Sequence, residues 1–399
     1  MDRKRVLLRG ASMSQSGYGV HIRQIAKWLL SRSDCDVSVW PLPWGITTWY
    51  IDPDACDGLI GELMRRSTDK FDPNNKFDIS FQVQLPNEWD SSLAKVNIGV
   101  TAGIETDVCN PAWIADINKM NIVVVPSTHV RDTFMRTSNA ITTPIVVIPE
   151  AYITAIDALD VNRDNQANSL LYDMGVTTPF NFLLFGQITG DNPESDRKNT
   201  FYAIKWLCET FSDDEDVGII IKTNMGRSSQ IDKKRTTDLL TNVINSVRVN
   251  QYPRFHLIHG QLTDTEIASI YTDPCVRAAV SLTRGEGYGL PLVEAAAAGL
   301  PIIATDWSGH LDFLNKGKFI KLNYTLKPIH KTRVDNVMFV QNAKWAEVEE
   351  EDVKRKLRKF RSSSTMPKEW ATELSKIIRR EFSFDAVSKQ YDALFDGLK

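Results

Sequence analysis

The stretch 281-SLTRGEGYGLPLVEAAAAGLPIIATD-306 decides how the rest of the chain is read. Its first residues complete AAVSLT (278–283), a largely apolar run of the kind expected for a buried strand of a parallel sheet. RGEGYG is the loop at the carboxyl end of that strand. LPLVEAAAA follows as a helix, with Pro291 near its first position, Gly299 past its end and Pro301 to stop it. PIIATD (301–306) is the next strand. Strand, helix and strand in this order set the class as α/β.

Ligands of open α/β sheets gather where strands end and helices begin. The amides of Gly289 and Leu290, with the helix dipole, make an anion site there. Glu286 projects from the loop just before that site, and Glu294 sits one turn into the helix. A phosphate would repel both carboxylates, so they are expected to face hydroxyls, those of a sugar at one end and of a ribose at the other. Acids near a helix start also complement its dipole, which accounts for Glu294 but leaves GEGYG unexplained.

The same alternation runs through the chain. RVLLRG (5–10) is a first strand, and Ile22, Ile25, Ala26, Leu29 and Leu30 form the stripe of a helix after it. VSVWPL, FDISFQV, VNIGVT, IVVVPS and IVVIP continue a first strand series, after which DALDVNRDNQAN is polar and poor in strand formers. FNFLLFG (180–186), VGIIIKT (217–223) and FHLIHG (255–260) open a second series that leads into the stretch above. Two such series, joined near 165–178, predict two Rossmann-like domains facing across a cleft. Their expected bounds are 1–170 and 171–380, with a helix over 381–399 packing back on the first. In WAEVEEEDVKRKLRKFR (345–361), Glu350–Lys354, Glu351–Arg355 and Asp352–Lys356 are favourable i, i+4 pairs, so a solvated helix is expected there rather than a basic nucleic-acid patch.

Composition narrows the classes. The chain has 399 residues, more than one ordinary core holds. A net charge of −3 gives no global field for nucleic acid. Five dispersed cysteines without a CxxC argue against a disulfide framework or a zinc site. No apolar run approaches a signal peptide or a transmembrane span, so the expected location is the cytoplasm. DCD (34–36) and DPD (52–54) match a metal-binding triplet only formally, and no metal or cofactor is expected.

RGEGYGLPLVEAAAAGLPIIATDWSGHLDFL resembles the nucleotide-sugar signature of retaining GT-B glycosyltransferases, glycosyltransferase family 4, with its two glutamates seven residues apart. SGYGVHIRQIA (16–26), ETDVCNPAWIADINKMNIVVVPSTHVRDTF (105–134), VVIPEAY (146–152) and FSFDAVSKQYDALF (382–395) extend the resemblance over most of the chain. It implies an acceptor-binding N-terminal domain, a donor-binding C-terminal domain and a nucleotide sugar as substrate. In that reading Glu286 binds the transferred sugar, Glu294 the ribose, and Gly289 and Leu290 the diphosphate. Lys198 matches the family's diphosphate lysine, whereas Gln187 stands where the family has an arginine. Arg197 or Arg284 is expected to supply the missing cation, with Lys222 a weaker candidate. Gly17 and Gly19, in the loop before the first helix, are candidates for the phosphate or the acceptor, although a plain tight turn explains them equally. Where many members carry a histidine this chain has AGIETD, and Glu105 there matches one branch of the family. Glu105 is read as a catalytic candidate that orients the acceptor or stabilises positive charge on the sugar, with a simple loop carboxylate as the rival. His129 is expected to cap or pack, and His310 to line the cleft. Trp40, Trp44, Trp49 and Tyr50 are either core or a stacking platform.

The acceptor is a sugar, a glycan or a hydroxymethylated base in DNA, the last suggested by the aromatic segment and the Lys354–Arg361 cluster. A non-catalytic nucleotide-sugar binding module is the third reading, suggested by Gln187 and the absent histidine. The oligomeric state is not readable from the sequence.

Overall fold

The computed structural model describes residues 3–159, 170–190, 192–223 and 226–398. These divide into two compact units. The first holds residues up to Ala151 together with Asp335–Val340 and Phe384 onward, and the second holds Tyr152–Val334 and Gln341–Ser383. The first crossover therefore comes ahead of the 170/171 boundary read from the sequence, which abuts a segment (160–169) outside the described residues.

In the first unit, β1 (Lys4–Gly10), β2 (Cys35–Pro41), β3 (Phe77–Val83), β4 (Ala94–Val100), β5 (Ile122–Val125) and β6 (Ile145–Val147) form a sheet in the order β2-β1-β3-β4-β5-β6. Every pairing in it is parallel. The helix Gly17–Ser31 buries Ile22, Ile25, Ala26 and Leu29 against one face, the stripe that its spacing predicts. The last helix, Phe384–Asp396, adds Val387, Tyr391 and Phe395 to the same core. Trp28 lies between, its ring 5.1 Å from Tyr391 and 5.7 Å from Phe395, while its Nε1 donates to Asp392 at 2.9 Å.

The second unit repeats the plan. β7 (Phe180–Phe185), β8 (Val217–Lys222), β9 (Arg254–Ile258), β10 (Val276–Ser281), β11 (Ile302–Thr305) and β12 (Ile320–Leu322) are ordered β12-β11-β10-β7-β8-β9, again all parallel. One face is covered by the helices Leu290–Ala297 and Thr365–Glu381, the other by Thr200–Thr210 and Glu350–Ser362. Two parallel sheets of six strands among the described residues, each wrapped by helices, constitute the GT-B architecture.

Two elements depart from the sequence reading. β13 (Tyr324–Pro328) and β14 (Lys344–Val348) form an antiparallel hairpin, so the segment read as one helix over 345–361 begins as a strand and turns helical at Glu350. Within that helix Lys354 pairs with Glu350 at 2.5 Å and Lys356 with Asp352 at 2.6 Å. Arg355 turns to Asp352 rather than to Glu351, and Arg361 bonds Asp214 at 2.8 Å. The basic cluster is thus largely neutralised by its own neighbours. No helix among the described residues is long and apolar enough to cross a membrane.

Candidate active site

The residues singled out by the sequence in the second unit lie at the carboxyl ends of its strands. The loop after β7 is built around Asp196, which is fully buried. Its carboxylate accepts the Thr189 N–H at 3.0 Å, the Thr189 hydroxyl at 2.9 Å and the Thr200 N–H at 2.7 Å. The left-handed Asn199 (φ 58°) then starts the Thr200–Thr210 helix. This frame presents Arg197 and Lys198 side by side.

Both meet the loop after β10. Lys198 Nζ lies 2.6 Å from Glu286 Oε1, and Arg197 Nη1 lies 3.3 Å from Glu286 Oε2 and 2.7 Å from the Gly285 carbonyl. Burial alone would push the Glu286 carboxyl up. Lys198 and Arg197 outweigh it and hold the group at about 2, so it is ionised at neutral pH. The chain then turns through Gly289, whose φ of 105° suits glycine, into the helix Leu290–Ala297. Among the described residues the amides of Gly289 and Leu290 make no backbone hydrogen bond, as is usual for the first amides of a helix, so they can donate to an anion.

Glu294 lies on the second turn of that helix, nearly buried, and accepts the Tyr271 hydroxyl at 3.0 Å. Burial, with Asp264 adding to it, pushes its carboxyl up to about 8, so it is protonated at neutral pH despite the Tyr271 bond. Lys222, at the end of β8, donates to the Gly260 carbonyl at 2.7 Å, and burial lowers its ammonium to about 8.

Arg284 is placed differently from the other cations. It is 1% exposed and makes a bidentate pair with Glu347, at 2.6 and 3.1 Å, from β14. Its Nη1 donates to the carbonyls of Pro193 and Asp196 at 2.6 and 2.7 Å. Its guanidinium thereby ties the β10 loop to the β7 loop and to the hairpin. The sequence offers no sign of this, because the partner carboxylate lies far along the chain on a strand read as helix. His310 is also buried, under the Glu286 turn, and bonds the Thr305 carbonyl at 2.7 Å instead of lining an open surface.

In the first unit, Ser16 caps the Gly17–Ser31 helix by accepting the Gly19 N–H at 3.1 Å. A β-carbon on Gly19 would meet the Ser14 carbonyl at 1.9 Å, so this glycine is required by the turn itself, whereas Gly17 faces open space. Tyr18 stacks on Trp44 at 4.0 Å and shares a hydrogen bond of 2.8 Å with Thr101. Thr101 also accepts the Gly103 N–H, in the half-buried loop that carries Glu105. Burial raises the Tyr18 phenol, and the Glu105 charge adds to that rise. In the aromatic segment Trp40, Trp44 and Tyr50 are half-buried. Arg9 covers Trp40 at 5.5 Å and Arg23 covers Tyr50 at 4.9 Å, while Trp49 remains 40% exposed. His129 occupies the first turn of the helix Thr128–Thr137. Among the described residues no three His, Cys, Asp or Glu side chains are grouped to hold a metal ion.

Residues 251–328, which contain both glutamates, match the family described as glycosyl transferases group 1. No curated protein matches the chain by sequence. Among solved structures, a glycosyltransferase from Rickettsia africae is 13% identical and superposes with a TM-score of 0.65 over 99% of this chain and 98% of its own. Anabaena HepE, solved with UDP and glucose, is 11% identical, with a TM-score of 0.64 over 99% and 100% of the two chains. Sucrose-phosphate synthase from Thermosynechococcus elongatus is also 11% identical, with a TM-score of 0.62 over 99% of each. At such identities the likeness is one of fold.

Proposed function

We propose that this chain is a retaining glycosyltransferase that moves a sugar from a nucleotide donor to an acceptor hydroxyl. The observation that carries the reading is the convergence of Glu286, Lys198 and Arg197 beside the helix start at Gly289 and Leu290. The match of this segment to glycosyl transferases group 1 supports it, as does the UDP and glucose bound by Anabaena HepE.

In this reading the donor diphosphate takes the Gly289 and Leu290 amides, with Lys198 and Arg197 as its cations, and no metal is invoked. Glu286 accepts hydroxyls of the transferred sugar, and Glu294 accepts those of the ribose. Arg284 shapes the β10 loop without touching the donor. The acceptor oxygen attacks the anomeric carbon on the face from which the diphosphate departs. The C–O bond to the diphosphate breaks, and the acceptor proton passes to a leaving phosphate oxygen. The cations stabilise the charge that develops there. Glu105, in the first unit, orients the acceptor or stabilises the positive charge on the sugar ring.

The test is release or transfer of glucose from UDP-glucose, with NMR assignment of the product's anomeric configuration. Wild-type turnover with retention, lost in a folded Glu286→Ala variant, is the expected result. Inversion would remove the mechanism. Failure of every nucleotide sugar in a panel to raise the melting temperature would remove the donor itself.

A further inference from the structure

Beneath the Glu286 turn runs a buried hydrogen-bond chain that the donor contacts above do not use. His310 Nε2 lies 2.7 Å from the Thr305 carbonyl, which can only accept, so this nitrogen carries a ring proton. Burial lowers the imidazole's pKa and keeps the ring neutral, which leaves a lone pair on Nδ1. Nδ1 faces Ser308 Oγ at 3.4 Å and receives the hydroxyl proton. The serine oxygen is then oriented to accept, and it takes the Glu286 N–H at 2.9 Å. On the other side of the same residue, the Glu286 carbonyl accepts the Gly309 N–H at 2.9 Å. The Thr305 hydroxyl donates to the Thr283 carbonyl at 2.8 Å, which anchors the chain to the ends of β10 and β11.

Two further observations separate this arrangement from incidental packing. Ser308 has φ 89°, a conformation natural to glycine and strained for a residue with a side chain. Serine in that place adds one thing that glycine lacks, the hydroxyl that holds Glu286. The two turns also touch backbone to backbone, since a β-carbon on Gly309 would lie 2.1 Å from the Gly287 carbonyl. Ser308 is therefore fixed against the turn whose amide it binds.

We propose that Ser308, oriented by His310, is a positioning residue that sets the Glu286 carboxylate toward the hydroxyls of the transferred sugar. The inference rests on the sugar-binding role given to Glu286. Ser308→Gly tests it with little danger of misfolding, because glycine fits the observed φ. Binding of UDP and of UDP-glucose is measured by calorimetry for wild type and variant. The expected result is a Kd for UDP-glucose about tenfold weaker, the scale of one lost ordering hydrogen bond, with the Kd for UDP unchanged and the melting temperature equal or higher. Unchanged affinity for both ligands would overturn the proposal. Equal weakening of both would also overturn it, because the serine would then be holding the whole loop. If wild type binds UDP and UDP-glucose equally well, the sugar-binding reading of Glu286 is what fails. The hydrogen-bond chain remains testable in that case, through loss of hydrogen-exchange protection at the Glu286 amide in Ser308→Gly.

Discussion

Lys198 and Glu286 meet at 2.6 Å with only 17% and 10% of their side chains exposed, and Arg197 completes a group of two cations on one carboxylate. The asymmetry predicts unequal costs. Lys198→Met leaves Glu286 with Arg197, whereas Glu286→Gln leaves two cations facing each other. Glu286→Gln is expected to destabilise by about 2–4 kcal/mol and Lys198→Met by less, both measured by urea unfolding. The double variant should cost less than the sum, because neither charge is then stranded. There is a pH counterpart. The folded carboxyl titrates at about 2, below its ordinary 4.5, so its stabilisation is present above pH 4.5 and fades as pH falls toward 2. In Lys198→Met the folded carboxyl titrates closer to 4.5, so the acid loss of stability from this group should be smaller and complete at a higher pH. An unchanged acid limb would show that Lys198 does not set the Glu286 charge.

Glu294 carries the opposite sign. Its folded carboxyl titrates at about 8 against an ordinary 4.5, chiefly because it is buried. Between those values the folded chain holds a proton that the unfolded chain has released. Its contribution is therefore fully present below pH 4.5 and is lost as pH rises through 8. Glu294→Gln, neutral throughout, should flatten that slope, a change of a few kcal/mol at most across the window. If a ribose diol donates to this carboxylate, UDP binding near pH 7 should release a proton. Calorimetry in buffers of different ionisation enthalpy reads that release, and a buffer-independent enthalpy would deny it.

Most of the strands that frame this site were legible because they are short, apolar and buried on both faces, as VGIIIK at 217–222 illustrates, whereas the three-residue, half-exposed β12 carries no such signal. β13 is mostly exposed and carries no comparable signal, and the ordered charges after Trp345 hide the strand that precedes their helix. The E-x7-E spacing identified Glu286 and Glu294 because both sit on one local turn and helix. It was silent on Tyr271, Glu347 and Ser308, which come from other elements and depend on tertiary packing. For Ser308 a weak signal existed, a Ser-Gly pair after a strand, which marks a turn but not which hydroxyl faces which amide.

Arg284 and Arg197 separate stability from ligand binding. Arg284 is buried with a bidentate carboxylate and two carbonyl acceptors, a geometry that a lysine cannot reproduce. Arg284→Lys is expected to lower stability by about 2–4 kcal/mol. Arg197→Ala removes a cation that is 13% exposed but leaves Glu286 paired with Lys198, so it should cost less stability than Arg284→Lys. Its affinity for UDP should nevertheless fall by about tenfold, while Arg284→Lys, assayed where it is still folded, keeps more of it. The reverse ranking in UDP titrations would return Arg284 to the donor site.

The last helix is expected to be indispensable to the first unit rather than an appendage. Phe395 is fully buried, packs edge-on against Trp28 at 5.7 Å, and lies under the Arg32 guanidinium at 4.4 Å. Arg32 is in turn fixed by Asp392 at 2.6 Å and Asp396 at 3.0 Å, so the helix is held by its apolar and its acidic faces together. Phe395→Ala opens a ring-sized cavity that the parallel sheet beneath cannot readily fill, a loss of about 3–5 kcal/mol. Asp396→Ala, which removes one exposed partner of several, should cost under about 1 kcal/mol. Urea unfolding followed by tryptophan fluorescence checks both, since Trp28 reports on this contact. Comparable costs for the two substitutions would mean that charge, not burial of the aromatic ring, fastens the helix.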